Sequence, residues 1–234
     1  MVVKPKCLAG LALLLLALKS ACSSADSETL MTENGVTIIL PEPKYDGDAP
    51  VEEALLKRRS VREYSGQALT LQELAQLLWA AQGITDARGF RTAPSAGATY
   101  PLEVYAVVGD VKGVAEGIYR YKPQEHRLLK VASGEWREAL ARAALDQQWV
   151  TQGAVNIVIT AIYERTTGHY GKRGVRYVDM EAGHAAQNVC LQAVALKLGT
   201  VVAGAFDDSQ VTGILELPDN EIPLYIMPVG RIKD

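Results

Sequence analysis

Arg58-Arg59-Ser60-Val61-Arg62 places three guanidinium groups and a hydroxyl within five residues of a chain whose overall balance is acidic. A guanidinium is a planar fork whose donors match two oxygens of a phosphate at once. If the chain runs extended beyond the helix that ends here, Arg58, Ser60 and Arg62 project to one side and can neutralise a single dianionic phosphate monoester. The competing reading is a solvated basic helix end, where cations complement the macrodipole. Taken alone, these five residues favour the solvated helix end.

Two further segments have the composition for close backbone contact with a ligand. In Pro94-Ser95-Ala96-Gly97-Ala98-Thr99-Tyr100-Pro101, small residues between two prolines leave little to block a flat ligand from the main-chain N–H groups. In Val201 to Asp208 a strand leaves a long helix and ends in Ala203, Gly204 and Ala205. An ordinary turn-rich connection and a packed strand end are the plain alternatives. Other reactive residue types are sparse. His126, His169 and His184 share no metal-ligand spacing, and no metal site is expected. His184, on an Ala-rich helix, reads as a packing residue, and Cys190 in an apolar run reads as a small core residue rather than a nucleophile.

These segments need elements to hold them. A short helix opening at Pro50 carries Ala54, Leu55 and Leu56 up to Arg59. Thr70 and Glu73 form a capping box, with Leu69 and Leu74 as a hydrophobic staple, for a helix ended by Gly83. Leu102 to Val108 reads as a strand, and Gly117 to Tyr121 with Arg127 to Val131 as a hairpin pair. Trp136 to Leu145 is helical, and Ala154 to Tyr163 is a β-branched run typical of a buried strand. Glu164 to Arg176 reads as a polar, basic loop. Asp179 to Leu198 reads as a long helix buried on most sides, because charges are few after Glu181. Strands over Thr200 to Phe206 and Pro223 to Val229 complete the chain. Helices and strands intermix without strict βαβ alternation, so the fold class is α+β.

The chain has 234 residues, 48% hydrophobic and 22% charged, with a formal net charge of −3, which excludes disorder and a broad nucleic-acid footprint. Lys4 and Lys6 precede the eleven-residue apolar run Leu8 to Leu18, and Ser20-Ala21-Cys22 follows, the pattern of a secretory signal too short to span a membrane. The cysteine after two small residues resembles a bacterial lipobox, with Lys19 where that motif carries an apolar residue. Residues 1–22 are thus read as a signal, 23–47 as a tether with an edge segment on the apolar run Val36 to Leu40, and 48–234 as the folded domain, exported to the cell envelope as a lipoprotein or a soluble protein. Loss of Lys4, Lys6 and Lys19 takes the net charge from −3 to about −6.

The order Arg58 to Arg62, then Pro94 to Pro101, then Glu181-Ala182-Gly183-His184-Ala185-Ala186-Gln187-Asn188, then Gly199 to Asp208, resembles the nitroreductase superfamily and, more narrowly, its SagB-type (SagB/ThcOx) dehydrogenases. The resemblance spans roughly Val51 to Gly230. It implies an intertwined α+β homodimer whose central mixed or antiparallel sheet is flanked by helices, with FMN bound between subunits. Arg58, Arg59, Ser60 and Arg62 would hold the flavin phosphate and ribityl chain. Pro94, Ser95 and Ala96 would approach the isoalloxazine from the partner chain, and Ala203, Gly204 and Ala205 would lie beside it. Ala98 stands where many relatives carry a ring-contacting Asn, and Arg231 is a further candidate for the phosphate. FMN performs the electron chemistry, which suits a sequence with no catalytic triad. The implied activity is ping-pong hydride transfer to or from a small organic substrate, with NAD(P)H as the typical donor. A flavin- or substrate-binding envelope protein and a peptide azoline oxidase are the alternatives. In azoline-oxidising members a Lys-Tyr pair removes the substrate proton. Here His169-Tyr170 matches it, leaving Tyr170 as a proton donor or acceptor, or as an aromatic packed over the subunit interface.

Overall fold

The structure, a computed structural model, describes residues 29–32 and 35–233. The signal segment and Cys22 lie outside the described residues. One eight-stranded sheet organises the rest, in the order β1-β2-β5-β4-β3-β6-β8-β7. Its strands are β1 (Thr29–Thr32), β2 (Gly35–Ile39), β3 (Leu102–Val108), β4 (Gly117–Lys122), β5 (Arg127–Ser133), β6 (Val155–Ala161), β7 (Leu198–Thr200) and β8 (Ile222–Arg231). Every neighbouring pair is antiparallel. Around it lie α1 (Val51–Lys57), α2 (Leu71–Gln82), α3 (Arg137–Ala143), α4 (Gln148–Gln152), α5 (Glu164–Tyr170), α6 (Arg173–Ala195) and α7 (Asp208–Leu215). The class is α+β.

Strand alternation divides the core in two. Leu102, Val104, Ala106 and Val108 of β3 face α2 and α6, whereas Tyr105 and Val107 face Leu140, Val150, Val211 and Leu215 on the other side. All seven residues of β6 are buried, which explains its unbroken apolar run. The capping box of α2 forms as expected: Glu73 N–H donates to Thr70 Oγ1 at 3.2 Å and Thr70 N–H to Glu73 Oε2 at 2.8 Å.

Several expectations are corrected. Residues 164–176 are not a loop but α5 and the start of α6. Gly174 permits this, since a Cβ there would lie 2.9 Å from the Thr167 backbone. Helix α6 is buried along one stripe, Val178, Glu181, Ala182, Ala185, Val189 and Cys190, while Val175 and Met180 are exposed. His184 is exposed rather than packed. The helix expected over 136–145 is α3, and a further short helix, α4, follows it; Pro50 caps α1 instead of opening it, and β7 ends at Thr200. The edge segment expected at Val36 to Leu40 is β2, and the stretch before it, read as tether, adds β1. It continues across α2, where Lys44 N–H donates to Gln76 Oε1 and Gln76 Nε2 to Lys44 O, at 2.8 and 3.0 Å. His126 holds the same segment by bridging Tyr121 Oη at 2.8 Å and Pro41 O at 3.0 Å.

Candidate functional site

Helix α1 stops at Lys57, and Arg58 turns the chain into extended geometry (φ −55°, ψ 122°). Ser60 then pairs with Thr200 in a parallel bridge, and Val61 N–H donates to Thr200 O at 2.9 Å. Val61 packs on Gly199, and buried Tyr64 anchors the segment through hydrogen bonds to Val61 O and Pro228 O at 2.8 and 3.2 Å. The basic cluster therefore lies against the 198–206 segment, so two of the three small-residue or basic constellations meet within one chain. Ser60 and Arg62 are exposed and Arg58 is half-buried.

The three arginines differ. Arg59 folds back, donating from Nη1 to Leu56 O at 3.1 Å and to Arg58 O at 2.7 Å. That is the helix-end role. Arg62 lies 5.9 Å from the ring centre of Trp149. Arg58 faces the buried thiol of Cys190, whose acidity burial suppresses. Among the described residues neither Arg58 nor Arg62 is ion-paired with a carboxylate. Arg231 is different: its Nη2 meets Glu73 at 3.0 Å, so its charge serves α2. Ala203 exchanges both main-chain hydrogen bonds with Ile226 at 2.9 Å, while Gly204 and Ala205 emerge at the surface.

The Pro94 loop sits elsewhere on the molecule and is tightly determined. Gly97, Ala98 and Tyr100 all have left-handed backbone, with φ of 60°, 52° and 45°. Such a run persists only where its surroundings over-determine it. Ser95 Oγ accepts the Tyr100 N–H at 2.9 Å, and Thr99 Oγ1 meets Thr166 Oγ1 at 2.7 Å. Arg165 of α5 donates from Nη1 to Tyr100 O at 2.9 Å and from Nη2 to Glu103 at 2.6 Å. These contacts carry α5 onto the loop. The hydroxyl of Tyr170 stands over Gly97, where a Cβ would come within 2.7 Å of it. Tyr170 is thereby brought to the loop, stacked edge-on with His169 and Tyr177 at 4.5 and 5.2 Å.

Beneath the loop lies a residue that was not expected at the site. Glu181 of α6 is 2% exposed, faces the Ser95 hydroxyl, and leaves Oε1 without a partner among the described residues. Burial pushes its pKa up to about 7, against the opposing pull of Ser95 and Arg91. A carboxylate one helical turn after Val178 and one before Ala185, on an otherwise apolar stripe, was the available signal. Arg91 itself is held by Gln82 Oε1 at 2.7 Å and lies 4.5 Å from the Tyr100 ring centre.

Glu181 marks the loop and Cys190 the arginine cluster on the same helix. Nine residues separate them, about 13 Å along the axis. A cavity of about 730 Å³ between residues 44–49, α1, α2 and α6 contains none of the expected site residues, being lined instead by groups such as Tyr45, Trp79 and Asn188.

The chain matches the nitroreductase family model over residues 55–231. It is 54% identical over 181 residues to the Methanocaldococcus jannaschii protein MJ1384, which bears a nitroreductase name, covering 77% of this chain and 90% of that one. The crystal structure of a nitroreductase-named protein from Ralstonia eutropha JMP134 superposes with a TM-score of 0.74 at 28% identity, over 91% of this chain and 97% of that chain. The microcin B17-processing protein McbC of Escherichia coli is 28% identical over 151 residues, a match covering 62% of this chain and 55% of McbC. The chain therefore belongs to the nitroreductase family.

Proposed function

We propose that the protein is an FMN-dependent oxidoreductase that works as a homodimer and transfers hydride to or from a small organic substrate, with NAD(P)H as the donor typical of its family. The observation that carries this is the division of the site into two halves. The arginine segment is bonded to Thr200 beside Gly204, and the Ser95 loop stands about 13 Å away along α6. A second copy can bring the loop of one subunit to the arginines of the other. Val51, Leu55 and Leu56 on α1, with Val175 and Met180 on α6, are apolar side chains left exposed in one chain. They suit a subunit interface.

The residues present fit FMN. Arg58 and Arg62, with no carboxylate partner among the described residues, and the exposed Ser60 hydroxyl supply charge and donors for the phosphate. A Cβ on Gly204 would meet only Tyr225, at 3.6 Å, so the main chain there is open to a flat ring. Arg59 contributes long-range charge, and Ala203 supports Gly204 and Ala205 through the sheet. Bound there, FMN supplies the hydride chemistry. Pro94, Ser95 and Ala96 wall the site from the partner subunit, and Tyr170 holds a hydroxyl beside that wall where it can give or take a proton. The N-terminal signal pattern supports export, with Cys22 as a lipid anchor.

Expression of residues 23–234 tests the proposal. The protein should purify yellow and dimeric and release FMN on denaturation. Arg58→Ala with Arg62→Ala should lose the flavin, and unchanged flavin content would reject the phosphate assignment. Anaerobic bleaching by NADH, NADPH or a quinol separates an enzyme from a flavin carrier. The similarity to McbC favours peptide processing as a second reading. His169 in the lysine position argues against it, and the absence of any mass change in an azoline peptide would exclude it.

A further inference from the structure

Ser95 has one hydroxyl proton and two lone pairs, and their allocation is constrained. One lone pair accepts the Tyr100 N–H at 2.9 Å. When Glu181 is ionised, the proton of Ser95 goes to its carboxylate, leaving the second lone pair as an acceptor toward the open side of the loop. When Glu181 is protonated, its own O–H donates to that second lone pair. The Ser95 proton is then released and the hydroxyl presents a donor instead. Each state fills two of the three Ser95 positions and leaves one open, so the exchange costs no hydrogen bond.

We propose that Glu181 is a positioning residue that sets the hydrogen-bonding polarity of Ser95 toward the bound cofactor, and that its protonation is coupled to flavin reduction. The proposal rests on the flavin reading above and deepens it. A flavin gains electron density on reduction, so a donor at Ser95 favours the reduced form and an acceptor the oxidised form. Linkage is reciprocal: reduction must therefore draw a proton from water onto Glu181, in addition to those taken by the flavin. The surroundings leave Glu181 able to respond. Oε1 has no partner among the described residues, and the carboxyl is buried at 2% exposure. The charged groups around it are few. Arg91, from the segment after α2, faces Glu181 and is itself offset by Glu103 of β3 and opposed by Arg165 of α5. Tyr100 adds its ring to the same cluster. Burial holds the carboxyl up to about 7, so a modest bias at Ser95 moves its protonation near neutrality.

The test uses the flavin-loaded protein and counts protons taken up per flavin reduced, with a pH indicator in weakly buffered solution, for the wild type and Glu181→Gln. Flavin content is measured first. The wild type should take up as much as one proton more per flavin than the variant between about pH 7 and 8, and no more than the variant below about pH 5.5. Reduced-minus-oxidised infrared spectra should show a carboxylic-acid band gained in the wild type and missing in the variant. Ser95→Ala, which leaves Glu181 in place, should also lose the extra proton. Equal uptake in wild type and Glu181→Gln, or full extra uptake in Ser95→Ala, overturns the proposal while the flavin reading stands. A wild type without flavin overturns both.

Discussion

Replacing Glu181 by glutamine should flatten the dependence of stability on pH. The carboxyl lies at about 7 in the folded chain against an ordinary value of 4.5, the rise coming first from burial. Below pH 4.5 folded and unfolded chains both carry the proton, and the fold has its full benefit of the neutral acid. As pH rises from 4.5 through 7 the unfolded chain releases its proton first. Stability is lost across that window because the native state binds more protons. About 2.5 pH units at about 1.4 kcal/mol each set an upper bound of about 3.5 kcal/mol. For a chain of this size that is roughly 7–14 °C in melting temperature. Glutamine keeps an acceptor for the Ser95 hydroxyl and cannot ionise, so the variant should keep its melting temperature between pH 5 and 8 where the wild type falls. The assay is thermal unfolding of flavin-free protein at matched concentration. Other ionisations affect both proteins and cancel in the difference. Parallel curves would refute the claim that the buried carboxyl is destabilising when charged.

The strained loop, the helix cap and the exposed apolar helix each give a further test. Gly97→Ala places a Cβ at φ 60° and within 2.7 Å of the Tyr170 hydroxyl. It should destabilise by about 1–3 kcal/mol in urea unfolding, and a variant as stable as wild type would contradict that contact. Thr70→Ala removes the acceptor of the Glu73 N–H. It should cost about 1 kcal/mol, with Thr70→Ser close to wild type. Leu56 is 73% exposed in the single chain. Leu56→Glu should therefore leave the subunit folded by circular dichroism but shift its mass by light scattering from dimer to monomer.

What could be read from the sequence was what is local. The α2 cap is legible because Thr70 and Glu73 are three residues apart, and the β6 run because two-sided burial removes alternation. Helix α5 was not legible. Its Thr166, Thr167 and Gly168 are poor helix formers, and it is held by Arg165 on Glu103 at 2.6 Å and Thr166 on Thr99 at 2.7 Å. The site divides the same way. The arginine cluster is visible as five adjacent residues, though only the structure separates Arg59, which caps its helix, from Arg58 and Arg62. Glu181 was missed because its partner Ser95 lies 86 residues earlier, and no local pattern joins them.

Helix α6 has a consequence beyond packing: it is the ruler of the molecule. Each residue added to or removed from it between Glu181 and Cys190 turns one half of the site by about 100° relative to the other and shifts it about 1.5 Å. Length changes there cannot be absorbed gradually, whereas α5 and the 94–101 segment hang from the rod at their ends. A change of length in α5 or in the 94–101 segment leaves the spacing of Glu181 and Cys190 along the rod as it is.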